Sequence, residues 1–331
     1  QMPRDFQTPV LSRFVLPKAT ATFKIRHNEE VYRQETDLQL MVDYRELSSA
    51  EQEKLPQWAK KDSKQVCKEF NDLELIEKER LTNALNLNVA PRQLYFAGGL
   101  GSPPPTISCG IEYGYKNRYK DIFLYEHLRV KLDTAGQMNE QSDYINASYL
   151  TNNYGDQYIA TQGPLSLTIG DFWKCVVNNK VPVIISLTQE QENGVTKCSP
   201  FWLPGTYKSS NNSYKISLSG EQKVKPNDID NGSLIVIKAF EIEVDGDSSN
   251  IQRAIQIHVL TWPDMELISN PKDLLSIIQW KNRIMEGMHS TGPVLVPCSA
   301  GCGRTGVLCT VDSIVSLVKR HDDREKTDSV V

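Results

Sequence analysis

Cys298 and Arg304 stand six positions apart, separated by Ser299-Ala300-Gly301-Cys302-Gly303 and followed by Thr305-Gly306. The apolar run Val294-Leu295-Val296 before them has the pattern of a buried strand, and the spacing after them predicts an amphipathic helix over 305–320. A strand, a turn holding Gly301, Gly303 and Gly306, and a helix N-terminus together form a place prepared for an anion. Backbone N–H groups point inward at such a turn, the helix dipole adds positive potential, and glycines allow close approach. Phosphate is the natural guest, faced by a thiol from one side and a guanidinium from the other. The same amides, dipole and arginine stabilise a thiolate, which is the nucleophilic form of cysteine.

Two other phosphate-binding patterns run through these residues. Gly301-Cys302-Gly303-Arg304-Thr305-Gly306 matches G-x-G-x-x-G, the dinucleotide fingerprint, which needs a second strand ending in an acidic residue beyond the helix. Asp322 and Asp323 instead sit in a charged run. A Walker A loop requires lysine after Gly306, where this chain has Val307. Only the pairing of thiol and guanidinium uses every residue of the turn.

The elements that must position this turn alternate in type. Short runs rich in Val, Ile, Tyr and Thr at 158–161, 181–187, 233–240, 255–260 and 294–296 predict strands, and 169–178, 271–289 and 305–320 predict helices. Such alternation points to an α/β fold with a twisted mixed β-sheet flanked by helices. Upstream, apolar residues from Val66 to Leu85 recur at threes, fours and fives and predict an amphipathic helix over 63–87. Residues 21–25 alternate like a half-buried strand, and the glycine and proline run at 98–105 reads as a linker. The expected division is an N-terminal extension at 1–60, packed on the domain or docking substrate, and a catalytic domain at 61–331.

Composition bounds the partners. A net charge of −4 over 331 residues argues against general binding of nucleic acid or a membrane surface, so any anion site is local. No run approaches the roughly 18 apolar residues of a membrane helix, and the N-terminus lacks a signal pattern. The seven cysteines are odd in number and lack paired C-x-x-C or zinc spacing, which favours a reducing compartment: cytoplasm, or nucleus. Cys175, Cys198, Cys302 and Cys309 read as small apolar fillers. Opening at Gln1 rather than Met, the chain reads as a fragment of something longer.

Cys-x5-Arg in a strand–turn–helix setting is the signature of cysteine-based phosphatases, and the string at 298–306 resembles the tyrosine-specific branch. Lys116-Asn117-Arg118-Tyr119 is similar to that family's phosphotyrosine-recognition loop, and Asp143-Tyr144-Ile145-Asn146-Ala147-Ser148-Tyr149 to its core motif. Ala160-Thr161-Gln162-Gly163-Pro164, Asp171-Phe172-Trp173 and residues 192–202 fit later blocks, and Trp262-Pro263-Asp264 falls where the mobile acid loop belongs. The resemblance covers roughly residues 60–331.

What the resemblance implies is a protein tyrosine phosphatase using neither metal nor cofactor. Cys298 would attack phosphorus, Asp264 would act as general acid and then base, Arg304 would bind the equatorial oxygens, and Thr305 would help the thiolate leave. Tyr119 and Asp121, with Ser299, Ala300, Gly301, Cys302, Gly303 and Arg304, would contact substrate. Glu192 would pin Arg304, Lys197 would lie near the acid loop with Trp262 and Pro263, and Gln162 and Trp173 would be scaffold. The implied partners are phosphotyrosine-containing proteins; the N-terminal string and Cys302 are similar to fungal phosphatases that act on MAP kinases. Oligomeric state is not legible.

Three departures from the family stand out. Pro297 occupies the place of the usual histidine and offers no donor. The family's glutamine loop and a further helix are not found before Val331, so the domain is expected to be C-terminally incomplete. Met265-Glu266-Leu267 replaces a glycine-containing run after the acid. Two functional classes therefore follow: an active phosphatase, or an impaired homologue that binds phosphotyrosine.

Overall fold

The computed structural model describes residues 63–86, 106–134, 143–152, 155–210, 212–224, 234–264, 266–268 and 270–328. The extension at 1–60, the strand expected at 21–25, the linker at 98–105 and Met265 lie outside the described residues. The helices are α1 (Ser63–Asn86), α2 (Ser108–Glu112), α3 (Ile169–Asn178), α4 (Pro271–Gly287) and α5 (Gly303–Asp328). The strands are β1 (Arg129–Lys131), β2 (Tyr144–Thr151), β3 (Gln157–Gln162), β4 (Val183–Ser186), β5 (Gln191–Glu192), β6 (Val195–Thr196), β7 (Gly205–Ser209), β8 (Asn212–Val224), β9 (Ile235–Val244), β10 (Asp247–Val259) and β11 (Val294–Cys298).

Nine strands make one mixed sheet in the order β1-β2-β3-β11-β4-β10-β9-β8-β7, and β5 pairs with β6 as a separate hairpin. Its centre is four parallel strands, β3, β11, β4 and β10, with antiparallel pairing outside them. Central parallel strands are covered on both faces, which explains their continuous apolar runs. Along β11, Val294, Val296 and Cys298 face the core shared with Leu274 and Ile277 of α4 and Leu308 of α5, while Leu295 faces Phe172, Trp173 and Val176 of α3. Period-two alternation thus assigns the cysteine to the α4–α5 side.

Local chemistry sets several boundaries. The Asn270 side chain accepts from the Lys272 N–H at 3.0 Å, with Pro271 opening α4, so the helix starts where a cap and a pre-set φ coincide. The interval predicted for α3 matches its bounds. The last helix starts two residues earlier than expected, because Gly303 and Arg304 already form its first turn, and it runs on to Asp328. Strands β7 and β8 escaped prediction because their exposed polar positions mask the alternation.

Two buried polar groups tie this frame together. Lys281 of α4 pairs with Asp312 of α5 at 2.5 Å, and Tyr158 of β3 donates to the same carboxylate at 3.0 Å. His258 of β10 is 2% exposed, bonded through Nε2 to the Thr188 carbonyl at 2.8 Å and packed on Trp202 with ring centroids 4.4 Å apart.

Burial pushes the His258 imidazole down from 6.5 to about 4, with Lys238 adding to the shift. A depressed base favours the fold while neutral, so its contribution is complete above pH 6.5 and is lost as pH falls toward 4. Between pH 7 and pH 5 the wild type is expected to lose about 2 kcal/mol more stability than His258→Phe, read from urea unfolding curves. Equal losses would remove His258 as the source.

Candidate active site

The end of β11 and the start of α5 frame the turn. Cys298 is 3% exposed, at the bottom of it, and its Sγ accepts from the Gly301 N–H at 3.2 Å. Gly301 has φ +78°, and a Cβ there would lie 2.6 Å from the Thr161 carbonyl carbon and 2.8 Å from the Gln162 nitrogen. Both the left-handed backbone and the close approach of β3 require glycine. The Gly163 N–H donates to the Ser299 carbonyl at 3.1 Å, fixing the turn against the end of β3.

Arg304 closes the turn from the first turn of α5, 6% exposed. Nη1 donates to Glu192 Oε1 and to the Trp262 carbonyl, both at 2.8 Å, and Nη2 donates to Asp264 Oδ1 at 3.2 Å. Lys197 donates to the other carboxylate oxygen of Asp264 at 2.6 Å, a bond that raises the lysine's own proton affinity. The expected supports, Glu192 and Lys197, therefore reach the arginine and the acid from the β5–β6 hairpin and its exit. Trp262 is buried and its indole N–H donates to the Glu266 carbonyl at 3.0 Å, which folds the Trp-Pro-Asp loop back on itself, while Pro263 is exposed.

The loop at 116–119 is held from beneath. Tyr119 shares a hydrogen bond with Ser299 Oγ at 2.8 Å, and that hydroxyl also donates to the Lys197 carbonyl at 3.3 Å. Gln162 accepts from the Arg118 N–H and donates to the Lys116 carbonyl, each at 2.8 Å. Asn117 is buried, with its Oδ1 taking bonds from Tyr144 at 2.6 Å and Asn146 at 3.0 Å. The Arg118 guanidinium reaches the carbonyls of Gly163, Pro164 and Thr196. Trp173 is buried, its indole bonded to the Phe201 carbonyl at 3.1 Å.

The remaining residues named from the sequence differ in placement. The Thr305 hydroxyl donates to the Val296 carbonyl at 3.1 Å, so the structure directs it to the strand. Asp121 is exposed in the turn beyond Tyr119. Cys175, Cys198 and Cys309 are buried fillers whose thiols burial pushes up to about 12. Cys302, expected among them, is exposed on the turn. Thr188 was missed: its hydroxyl donates to Glu192 Oε1 at 2.5 Å, and nothing in the sequence around it signals that contact.

A thiol that accepts from an amide of its own turn at the end of a parallel strand, beside a buried arginine bonded to a loop carboxylate, is the arrangement of cysteine-based phosphatases. The sequence model of the family Protein-tyrosine phosphatase matches residues 114–331, and the chain belongs to that family. Human tyrosine-protein phosphatase non-receptor type 12 is 36% identical over 206 residues, 62% of this chain and 25% of that protein. Tyrosine-protein phosphatase 3 of Saccharomyces cerevisiae is 32% identical over an alignment covering 66% of this chain and 34% of that protein. The chain thus spans a quarter to a third of these relatives' lengths. The catalytic domain of human protein tyrosine phosphatase non-receptor type 18 superposes with TM-score 0.57 at 29% identity, covering 76% of this chain and 84% of that one. The same phosphatase in complex with a HER2 phosphopeptide gives TM-score 0.56 at 32% identity, covering 66% and 72%.

A methyl group at Gly301 would drive the turn off β3. Gly301→Ala is expected to lower kcat toward p-nitrophenyl phosphate by about 100-fold and to abolish orthovanadate binding in calorimetry. Wild-type values for both would show that the turn tolerates the displacement.

Proposed function

We propose that the chain hydrolyses phosphotyrosine in proteins through a cysteinyl-phosphate. One observation carries this reading: the Cys298 thiol, the Arg304 guanidinium and the Asp264 carboxylate converge on one turn, linked by the bonds at 3.2 Å from Gly301 to the sulfur and from Arg304 to Asp264. Cys298 as thiolate attacks phosphorus, the bond from phosphorus to the tyrosyl oxygen breaks, and a proton from Asp264 goes to that oxygen. Water then attacks, Asp264 takes its proton, and the sulfur–phosphorus bond breaks to release phosphate and thiolate. Arg304 exchanges Asp264 for phosphate oxygens at Nη2 while Glu192 and the Trp262 carbonyl keep Nη1 in place. Tyr119, tied to Ser299 at the rim, sets a depth that phosphotyrosine spans and phosphoserine does not. Asp121, Ala300, Cys302 and Gly303 complete the substrate-contacting set.

The substrate class gains support from the type 18 phosphatase solved with HER2 phosphotyrosine peptides. Similarity to a yeast tyrosine-protein phosphatase agrees with a fungal relationship, and MAP kinases are the protein substrates we propose from it. Residues 1–60 would serve as the docking extension and 61–331 as the catalytic domain, acting in the cytoplasm or nucleus. Among the described residues no helix is long and apolar enough to cross a membrane.

Pro297 favours a second reading, a phosphotyrosine binder with weak turnover. The proline's carbonyl accepts from the Leu187 N–H at 2.9 Å, but it has no N–H and no side-chain donor for the turn. Hydrolysis of a phosphotyrosyl peptide against a phosphoseryl control separates the two. Wild type is expected to turn over only the former, Cys298→Ser to bind without turnover, and Pro297→His to raise kcat about tenfold, the value of one hydrogen bond. Retained affinity with no wild-type turnover would select the binder; neither binding nor turnover would sink both.

A further inference from the structure

We infer that His258, remote from the substrate turn, is a positioning residue for Arg304, acting through Thr188 and Glu192. This rests on the proposed role of Arg304. The chain of contacts is continuous. His258 Nε2 donates to the Thr188 carbonyl at 2.8 Å, the Thr188 hydroxyl donates to Glu192 Oε1 at 2.5 Å, and that oxygen accepts from Arg304 Nη1 at 2.8 Å.

Each link has little freedom. Thr188 lies just past the end of β4, and its neighbour Leu187 donates to the Pro297 carbonyl at 2.9 Å, directly before the nucleophile. With the Leu187 amide fixed to β11 and the Thr188 carbonyl fixed to β10, the peptide between Thr188 and Gln189 has one orientation, and the hydroxyl points at Glu192. The glutamate depends on that contact. Its Oε1 carries the bonds from Thr188 and Arg304 and a longer one from the Gln189 N–H at 3.3 Å, while Oε2 is buried without a partner. Release of the Thr188 carbonyl therefore lets Glu192, and with it the fixed end of the guanidinium, drift.

A polar side chain buried here is costly unless its bonds are made. The position is in the middle of the sheet, paired with Ser186 on β4 and Val236 on β9, and is 2% exposed. The imidazole keeps Nδ1 buried and unpartnered, and Lys238 of β9 adds a nearby positive charge. A buried polar atom without a partner calls for an explanation, and the other bond of the imidazole supplies one. Here that bond is the one to Thr188.

The test compares His258→Phe and His258→Gln at pH 7, each also in a Glu192→Gln background, with folding checked by circular dichroism. Phenylalanine keeps the ring volume and loses the donor; the glutamine amide places an N–H near the position of Nε2. His258→Phe is expected to lower kcat on a phosphotyrosyl peptide about tenfold with KM changed less than about twofold, and to weaken orthovanadate binding by a similar factor. His258→Gln should recover to within about threefold of wild type, and in the Glu192→Gln background His258→Phe should change either readout by less than about twofold. Full kcat and vanadate affinity in folded His258→Phe, multiplying losses in the double variant, or no recovery with glutamine would each overturn the inference. If the wild type itself fails to turn over peptide, the catalytic reading falls, and the vanadate affinities still decide the role of His258.

Discussion

A phosphate dianion held by protein groups alone needs positive charge fixed before it arrives, and that charge must itself survive burial. Arg304 meets both conditions at 6% exposure. A guanidinium taken out of water is costly unless each donor finds an acceptor, so burying one cation commits the surrounding chain to supply acceptors. Here they come from two separate segments: Glu192 on the β5–β6 hairpin, and the acid loop with its Trp262 carbonyl and Asp264. Satisfying the arginine is what draws these segments over the turn.

The acceptors are unequal. Nη1 has two partners at 2.8 Å, a carboxylate oxygen and a backbone carbonyl, whereas Nη2 has one at 3.2 Å. One end of the guanidinium is anchored and the other is exchangeable, which suits a planar fork that must keep its orientation while a ligand replaces a protein group. Lys197 holds Asp264 independently at 2.6 Å, so release of the acid from Arg304 leaves it near the turn. The sheet makes this convergence possible. β3, β11, β4 and β10 are parallel neighbours whose C-terminal ends lie on one edge, delivering Gln162, Cys298, Thr188 and the acid loop to the same place.

What the sequence disclosed followed how local the chemistry is. Cys298, its glycines and Arg304 are contiguous, so their geometry is set by a strand end and a helix start that the apolar pattern marks, and α3 is bounded by the same means. The contact between Glu192 and Arg304 spans 112 positions and was legible only through family resemblance. Thr188 and His258 belong to no motif and have no spacing that points to the site. Cys302 shows the limit of reading a turn from residue type: a cysteine's apolar character does not say whether the turn directs its side chain outward. β7 and β8 were missed because a strand with one solvated face and few apolar residues resembles a loop in composition.

Pro297 shows how the same constraints reach Cys298. In a parallel ladder a residue directs its N–H and C=O to the same neighbouring strand, flanking one residue there. The Pro297 carbonyl accepts from Leu187 N–H, so a residue-297 N–H would reach toward the Ile185 carbonyl, and proline removes that bond one residue before Cys298. Regular pairing of β11 with β4 accordingly stops at Leu295 opposite Ile184, while pairing with β3 continues through Cys298 opposite Gln162. Cys298 is therefore held firmly from the β3 side and by the Leu187 contact from the β4 side. That single contact stands beside Thr188, whose carbonyl His258 fixes. In this chain the loss of a ladder bond at Pro297 thus places more of the alignment between Cys298 and Arg304 on the short segment from Leu187 to Glu192.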